Sequence, residues 1–224
     1  MDLFSLLSGQ NHYPLFYPTF LMATNSPGKS SSAEKPRHAH HDVFSAERAG
    51  HLDTRLRRFL YRPDRLAGKY VEPGNRVLDF GSGPGFFTRE FAKQVGENGQ
   101  VFAVDLQEEM LTILHGKMEA EGLISRIRTH KCRPDSINLP ADLNGTFDAA
   151  FAIFVVHEVP DPSKLFREIA LLLKPGGTLF YTEPPFVVPG REFRDNLTRS
   201  IQAGFVPVET RYFFLNRSAV LRKK

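Results

Sequence analysis

The fold of this chain is decided by the stretch Arg76-Val77-Leu78-Asp79-Phe80-Gly81-Ser82-Gly83-Pro84-Gly85-Phe86-Phe87-Thr88. The run from Val77 to Phe80 is apolar apart from one acid and predicts a short buried strand. Glycines at three alternate positions, Gly81, Gly83 and Gly85, predict a sharp turn, because a residue without a Cβ bends freely and lets a ligand approach bare backbone. Together with the helical pattern that follows, they indicate the opening βα unit of a nucleotide-type binding fold.

The spacing of this turn separates it from a dinucleotide site. A dinucleotide site uses G-x-G-x-x-G, whereas this chain has G-x-G-x-G with an acid two residues before the first glycine. A carboxylate at that point repels a diphosphate and suits a ligand that carries an ammonium and a sulfonium. The motif resembles the first motif of the class I S-adenosylmethionine (SAM)-dependent methyltransferases, of the methyltransferase-domain 11/25 type. The resemblance implies a SAM site that includes Asp79, Gly81, Ser82, Gly83 and Gly85.

The composition restricts the class of protein. The 224 residues are 41% hydrophobic and 24% charged, which is ordinary for one globular domain. A single cysteine, Cys132, excludes a disulfide framework within the chain and a cysteine-cluster zinc site, and no metal site is expected. The net charge of +4 falls short of a focused basic stripe, so a small-molecule partner is favoured over nucleic acid. The sequence shows neither a long apolar run nor a signal peptide, so a cytoplasmic protein without a membrane span is expected.

Residues 1–41 are expected to lie outside the fold as a disordered tail. The segment 25–37 is polar, rich in Pro, Gly and Ser, and without periodicity. The histidines within 38–41 are interpreted as an incidental cluster rather than a metal site. The methyltransferase domain is expected to span 42–224, with 42–70 as an N-terminal helical cap. The resemblance implies that such helices cover the SAM cleft and shape the acceptor pocket.

The second predicted strand carries the expected ribose contact. Val101–Asp105 is an apolar run with an acid at its end, where nucleotide folds place a carboxylate against the ribose hydroxyls. A carboxylate offers two acceptor oxygens to two vicinal hydroxyl donors. Leu106 and Met110 are then expected to flank the adenine.

A third strand, 126–132, leads into Asp135 and Ser136. Many class I methyltransferases carry Asp-x-x-x-Leu-Pro at this place. The resemblance therefore implies that Asp135 accepts a hydrogen bond from the adenine amino group and that Ser136 belongs to the same site. Arg-Pro precedes Asp135 here in place of the commoner glycine, so a plain turn stays open as the alternative.

The fourth strand is predicted by a continuous apolar run, 147–156, typical of a central parallel strand buried on both faces. The expected SAM site includes Ala152 within this run. The run opens onto His157 and Glu158, the two residues expected to serve catalysis.

The rest of the chain completes the predicted sheet. Asp161-Pro162 predicts a helix start, and Lys174-Pro175-Gly176-Gly177 predicts the helix end before a fifth strand at 178–182. The segments 206–211 and 218–221, with no helix between them, predict an antiparallel hairpin. The predicted fold is α/β, a three-layer sandwich with a Rossmann-like, seven-stranded, mostly parallel sheet and a C-terminal antiparallel hairpin.

The resemblance implies transfer of a methyl group from SAM to a small-molecule acceptor. A hydroxyl or amine acceptor must lose a proton, and His157 has the intrinsic pKa and the position of a general base. Glu158 and Glu183 are secondary candidates, and a histidine that only packs against its loop is the open alternative. An RNA or other nucleic-acid methyltransferase is disfavoured, because no Asn/Asp-Pro-Pro-aromatic motif follows the fourth strand. A module that holds SAM without chemistry is a further alternative, and a nicotinamide oxidoreductase is least favoured by the glycine spacing.

Overall fold

The computed structural model describes residues 55–224. Its helices are α1 (Arg55–Tyr61), α2 (Pro63–Tyr70), α3 (Thr88–Val95), α4 (Glu108–Ala120), α5 (Pro162–Leu172) and α6 (Gly190–Gln202). Its strands are β1 (Arg76–Phe80), β2 (Gln100–Asp105), β3 (Ile127–Lys131), β4 (Phe147–Ile153), β5 (Leu173–Glu183), β6 (Phe205–Phe213) and β7 (Asn216–Lys223). The tail expected at 1–41, its histidines and the start of the cap lie outside the described residues.

The strands form one seven-stranded sheet in the order β3-β2-β1-β4-β5-β7-β6. The first five strands in this order pair in parallel, and β7 runs antiparallel to both β5 and β6. The predicted α/β fold, with its mostly parallel sheet and C-terminal hairpin, is confirmed. The strand order reverses between β1 and β4, and open α/β sheets bind ligands outside the carboxyl ends of the strands at such a point.

Alternate residues of the central strands enter two apolar cores, one on each face of the sheet. Val77 of β1 packs in a core with residues of α2, α3 and α4, whereas Leu78 packs in a core with residues of α5 and α6. Phe91 of α3 stacks on Phe151 of β4, with ring centroids 4.1 Å apart. Full burial of each such side chain stabilises the fold by about 1.5–3 kcal/mol. The two cores therefore fix the strand ends from which the site is built.

The junction of α5 and β5 differs from the sequence prediction. The α-helix begins as predicted, with Pro162 in its first turn and the Asp161 side chain accepting from the backbone N–H of Lys164. It ends at Leu172, and β5 begins at the next residue rather than after Gly177. Leu173 pairs with Phe147, and the register then shifts before Ala149 pairs with Thr178. The Lys-Pro-Gly-Gly segment is thus an irregularity inside the strand, where Gly176 takes a φ of 78°.

The fourth strand ends at Ile153, three residues before the end of the apolar run that predicted it. Phe154 has a φ of 60°, which is unusual for a residue with a side chain and breaks the extended conformation. Its backbone N–H still donates to the carbonyl of Thr182 at 2.9 Å. The strand therefore stops early because the chain turns at Phe154 towards the functional site. Within the described range 55–224, no helix is long and apolar enough to cross a membrane.

Candidate active site

A cavity of about 460 Å³ lies at the carboxyl ends of β1, β2 and β4. Its wall is formed by the glycine turn, the segments that follow β2, β3 and β4, and two residues of α1. The cavity therefore lies where the strand order reverses. The predicted site residues that line it are Gly81, Ser82, Gly83, Asp105, Leu106, Met110, His157 and Glu158.

The glycine turn is shaped by its neighbours as well as by the space beside it. A Cβ at Gly81 would lie 2.4 Å from Cγ2 of Val155, so the side chain of Val155 in the loop after β4 fills that space. Gly83 has a φ of 51°, and a Cβ there would meet no atom within 4 Å. Gly83 thus exposes bare backbone, whereas Gly81 allows two loops to approach closely.

The Asp105 carboxylate ties two loops of the cavity together. One of its oxygens accepts from the backbone N–H of Gly83 at 2.8 Å, and the other accepts from the backbone N–H of Gln107 at 2.9 Å. Burial raises the pKa of Asp105, and these backbone donors oppose that rise. Each carboxylate oxygen has a second lone pair, so the group can still accept from ligand hydroxyls.

Asp79 occupies the inner end of the same turn and does not reach the cavity wall. It is 2% exposed, and its Oδ2 accepts from the Thr88 hydroxyl at 2.6 Å. Burial raises the pKa of Asp79 to about 7, against the opposing effect of the Thr88 hydrogen bond. The sequence did not single out Thr88 as the partner of this carboxylate.

Ser82 offers an observation on what the cavity fits. Its hydroxyl is buried and has no hydrogen-bond partner among residues 55–224, although the residue lines the cavity. A buried polar atom without a partner is unfavourable, which favours a ligand that supplies one. With the open face of Gly83 and the Asp105 carboxylate beside it, this wall fits a polar ligand such as SAM.

The end of the cavity beyond β2 is walled differently from the prediction. Leu106 and Met110 line it as predicted, together with Cys132 and Pro134 from the segment after β3. Burial raises the pKa of the Cys132 thiol to about 11, so this side chain acts as an apolar wall. The sequence analysis did not assign Cys132 or Pro134 to the site, although both follow a strand end.

Four predicted SAM contacts lie away from the cavity wall. Asp135 is paired with Lys164 at 3.2 Å and is exposed, and the Ser136 hydroxyl donates to Glu168 at 2.9 Å. Ala152 is fully buried within β4, and Gly85 packs close to Leu114. The structure therefore does not bring these residues to the cavity, and their roles in SAM binding stay predictions.

His157 lies on a short 3-10 turn directly after β4, and a carboxylate holds it from behind. Its Nδ1 is 2.7 Å from Oε2 of Glu183, and its backbone N–H donates to Oε1 of Glu183 at 3.2 Å. On the other edge of the ring, Nε2 is 3.9 Å from Oε1 of Glu158. Burial lowers the pKa of His157. The hydrogen bond and charge of Glu183, together with the charges of Glu158 and Glu192, raise it by a larger amount. The net effect is a pKa above the ordinary value of histidine.

Residues of α1 lie across the same end of the cavity. Arg57 and Tyr61 line it, and the guanidinium of Arg57 lies 4.4 Å from the ring centroid of Phe86. The Tyr61 ring packs edge-on against Phe154 at 5.6 Å and against Phe214 of the β6–β7 turn at 5.4 Å. The unusual backbone of Phe154 therefore sets an aromatic contact between the cap and the loop after β4.

Comparisons with known proteins agree with this architecture. Residues 77–177 match the family model of a methyltransferase domain. Over 113 residues the chain is 34% identical to the ubiquinone/menaquinone biosynthesis C-methyltransferase UbiE of Hydrogenovibrio crunogenus, which covers 50% of this chain and 43% of that protein. The chain thus spans less than half the length of the UbiE proteins it matches.

Solved structures extend the likeness over more of the chain. A SAM dependent methyltransferase from Aquifex aeolicus matches with a TM-score of 0.71 and 28% identity, covering 80% of this chain and 98% of that one. The [4+2]-cyclase SpnF matches with a TM-score of 0.60 over 73% of this chain and 81% of its own, but at 20% identity the likeness shows the fold alone. Residues 77–177 thus match a methyltransferase domain, and the chain is similar to known SAM-dependent methyltransferases, the class that its first motif resembles.

Proposed function

We propose that this protein transfers a methyl group from SAM to a small-molecule acceptor bound beside His157. One observation carries the proposal: a single cavity brings the glycine turn and Asp105 together with His157. The cap expected at 42–70 supplies Arg57 and Tyr61 to this cavity, which supports a domain that includes the cap.

The donor half of the cavity is proposed to bind and orient SAM. SAM supplies a methyl group that is already activated on a sulfonium. Asp105 is proposed to accept from the ribose hydroxyls, Leu106 and Met110 to flank the adenine, and the Gly83 backbone with Ser82 to hold the polar tail. Contacts within the protein position these groups, since the Asp105 carboxylate accepts a hydrogen bond from the backbone N–H of Gly83. Catalysis then depends mainly on orientation and on exclusion of water.

The acceptor half is proposed to lie between His157 and the cap. The cavity volume of about 460 Å³ is within the usual range of small-ligand sites, about 300–1,000 Å³. Tyr61 and Phe154 give this end an aromatic wall that suits an apolar part of the acceptor. His157 is proposed to take the proton that a hydroxyl or amine acceptor loses as its methyl bond forms.

The relatives support a small molecule as the acceptor. UbiE is a C-methyltransferase of ubiquinone and menaquinone biosynthesis, and another solved relative is a putative sarcosine dimethylglycine methyltransferase. The alignment with UbiE covers only half of this chain, so neither substrate is assigned to it. The [4+2]-cyclase SpnF shows that this fold also serves other chemistry, so the reaction needs a direct test. The cytoplasmic location expected from the sequence stays a prediction.

The first test is binding and the second is transfer. Calorimetry should give SAM binding and no NADH binding, and addition of RNA should leave the SAM affinity unchanged. The purified protein is then incubated with a cell extract that contains small molecules and RNA, together with SAM carrying a deuterated methyl group, and mass spectrometry identifies products that gain the label. The matched control is His157→Ala, which should bind SAM and form labelled product far more slowly. Label in RNA alone would favour the nucleic-acid alternative, and SAM binding without any labelled product would favour the non-catalytic module.

A further inference from the structure

The contact between His157 and Glu183 joins the ends of two neighbouring parallel strands. Glu183 is the last residue of β5 and is 1% exposed, and His157 follows β4. The two carboxylate oxygens of Glu183 accept from two different N–H groups of His157, one on the backbone and one on the ring. The carboxylate therefore fixes both the position of the His157 backbone and the rotation of its imidazole.

The same contact decides where the ring carries its proton. Burial raises the pKa of Glu183, and the hydrogen bonds and charge of His157 oppose that rise. In its ionised form the carboxylate has acceptor atoms only, so the nitrogen 2.7 Å from it must be a donor. A neutral imidazole has one N–H, and with that proton on Nδ1 the lone pair is on Nε2. The Nε2 edge is the one directed towards Glu158, and both His157 and Glu158 line the cavity.

We propose that Glu183 is a positioning residue, which holds His157 in the tautomer with its proton on Nδ1 and its lone pair on Nε2. In this arrangement Nε2 takes the proton from the acceptor hydroxyl or amine. The acceptor atom keeps the electron pair and forms the new bond to the methyl carbon as the bond from that carbon to sulfur breaks. His157 ends as an imidazolium, and Glu183 keeps its charge throughout. The purpose of the tautomer rests on the proposed methyl transfer, whereas the tautomer itself does not.

Carboxylates from three parts of the chain act on His157. Glu183 comes from β5, Glu158 from the same loop as His157, and Glu192 from α6. Tyr181 lies one strand repeat before Glu183, and its phenol receives a hydrogen bond from Asn196 at 3.2 Å. The surroundings of His157 are therefore mainly anionic, which stabilises the imidazolium that forms when the proton arrives.

A purely structural role makes a different demand on residue 183. A neutral amide has one acceptor oxygen that can accept from Nδ1–H and orient the ring, so a structural role of the ring contact needs no charge. A buried carboxylate is unfavourable unless a partner compensates it, and its charge acts on the proton affinity of His157. The substitution Glu183→Gln keeps the size and one acceptor oxygen, which is enough for Nδ1–H. It removes the charge and one of the two acceptors that the carboxylate offers to His157.

The experiment reads the tautomer directly in the full-length wild-type protein. Long-range proton–nitrogen NMR of the ¹⁵N-labelled chain distinguishes protonated from unprotonated ring nitrogens, and the spectrum lacking one of the eight histidines, from His157→Gln, assigns the signal. Above its pKa, His157 is expected to show a protonated Nδ1 and an unprotonated Nε2. His115, whose side chain is 53% exposed, gives the reference for a ring in tautomer exchange within the same sample. A protonated Nε2, or a mixture like that of His115, overturns the proposal whatever the variants do.

The variants then separate charge from packing. Glu183→Gln is expected to lower the proton affinity of His157 by about tenfold or more in an NMR pH titration. Glu192→Gln removes a charge that is not hydrogen-bonded to the ring, so it should change the proton affinity much less. An equal change in both variants contradicts a special role of Glu183. SAM calorimetry on the same samples keeps the two proposals apart: a protein with the expected tautomer and no SAM binding refutes the proposed function and leaves the role of Glu183 intact.

Discussion

Asp105 and Gly83 are joined by a hydrogen bond of 2.8 Å from the backbone N–H of the glycine to the carboxylate. This hydrogen bond links the loop after β2 to the glycine turn after β1. The two loops that face the proposed SAM site are therefore held at a fixed separation. The second oxygen of Asp105 is occupied by Gln107. One side chain therefore organises the loops and also presents the acceptor expected for a ribose.

Replacing Asp105 should weaken SAM binding. Asp105→Ala is expected to lower the binding free energy by about 1–3 kcal/mol, the usual effect of losing hydrogen bonds to a charged group. The variant should also unfold at a lower temperature, because the backbone N–H of Gly83 loses its partner. Calorimetry measures the affinity, and Asp142→Ala, at an exposed acid outside the cavity, is the control. An unchanged affinity in folded Asp105→Ala would remove the residue from the ribose role.

Loss of His157 should affect turnover more than binding. His157→Ala is expected to keep nearly all of its SAM affinity and to lose about 10²–10⁴-fold in turnover, the usual contribution of a positioned general base. His115→Ala, at an exposed histidine on α4, serves as the control. If His157 is only structural, its loss should lower the melting temperature without a matching loss of turnover per folded molecule. Normal stability together with normal turnover would indicate an acceptor that needs no base.

The pH dependence of turnover should report the environment of His157. A base acts in its neutral form, so the rate should fall as the pH drops through the pKa of His157. That pKa lies above the ordinary histidine value, because the effect of the surrounding carboxylates exceeds that of burial. A pH–rate profile of the wild type should therefore have its acid limb at a higher pH than an unperturbed histidine would give, and Glu183→Gln should move this limb to lower pH. A limb at the same pH in both proteins would show that another group titrates.

Asp79 should make the unliganded protein less stable as the pH rises. Burial raises the pKa of Asp79 from 3.8, the ordinary value of an aspartate, to about 7 in the folded protein. Between these values the folded state binds more protons than the unfolded state, so this contribution to stability is present at low pH and lost as the pH rises towards 7. The slope is at most about 1.4 kcal/mol per pH unit. Urea unfolding at several pH values should give a smaller slope for Asp79→Asn, and the same slope as wild type for the exposed control Asp142→Asn.

The N-terminal segment before Pro36 is expected to be dispensable. It is polar and without hydrophobic periodicity over most of 25–37, and the family match begins at residue 77. A chain that begins at Pro36 should therefore keep its melting temperature and its SAM affinity. Thermal unfolding and calorimetry of the shortened and full-length proteins make the comparison. A clear loss of either property would place the segment within the fold.

The sequence predicted the sheet well because its signals are local. The apolar run of β4, the Asp-Pro start of α5 and the glycine turn each depend on neighbouring residues, and the seven-stranded sheet followed from the resemblance. The sequence also placed Asp105 and His157 at strand ends, where the cavity lies. It did not predict the pairing of Glu183 with His157, because that contact depends on where β4 and β5 stop relative to each other. The positive φ of Phe154 could not be predicted either, because this backbone conformation has no signature in composition or spacing.

Because Gly81 and Val155 are in close contact, the size of the side chain at one position limits which substitutions the other position accepts. A methyl group at position 81 would lie 2.4 Å from the valine side chain, and forcing both into that space typically costs about 1–3 kcal/mol. Gly81→Ala should therefore be partly rescued by Val155→Ala, and the rescue stays incomplete because Gly81 has a φ of 73°. The two positions are expected to covary among relatives. A substitution that enlarges the side chain at position 155, for example to change acceptor specificity, would then be limited by the space beside Gly81.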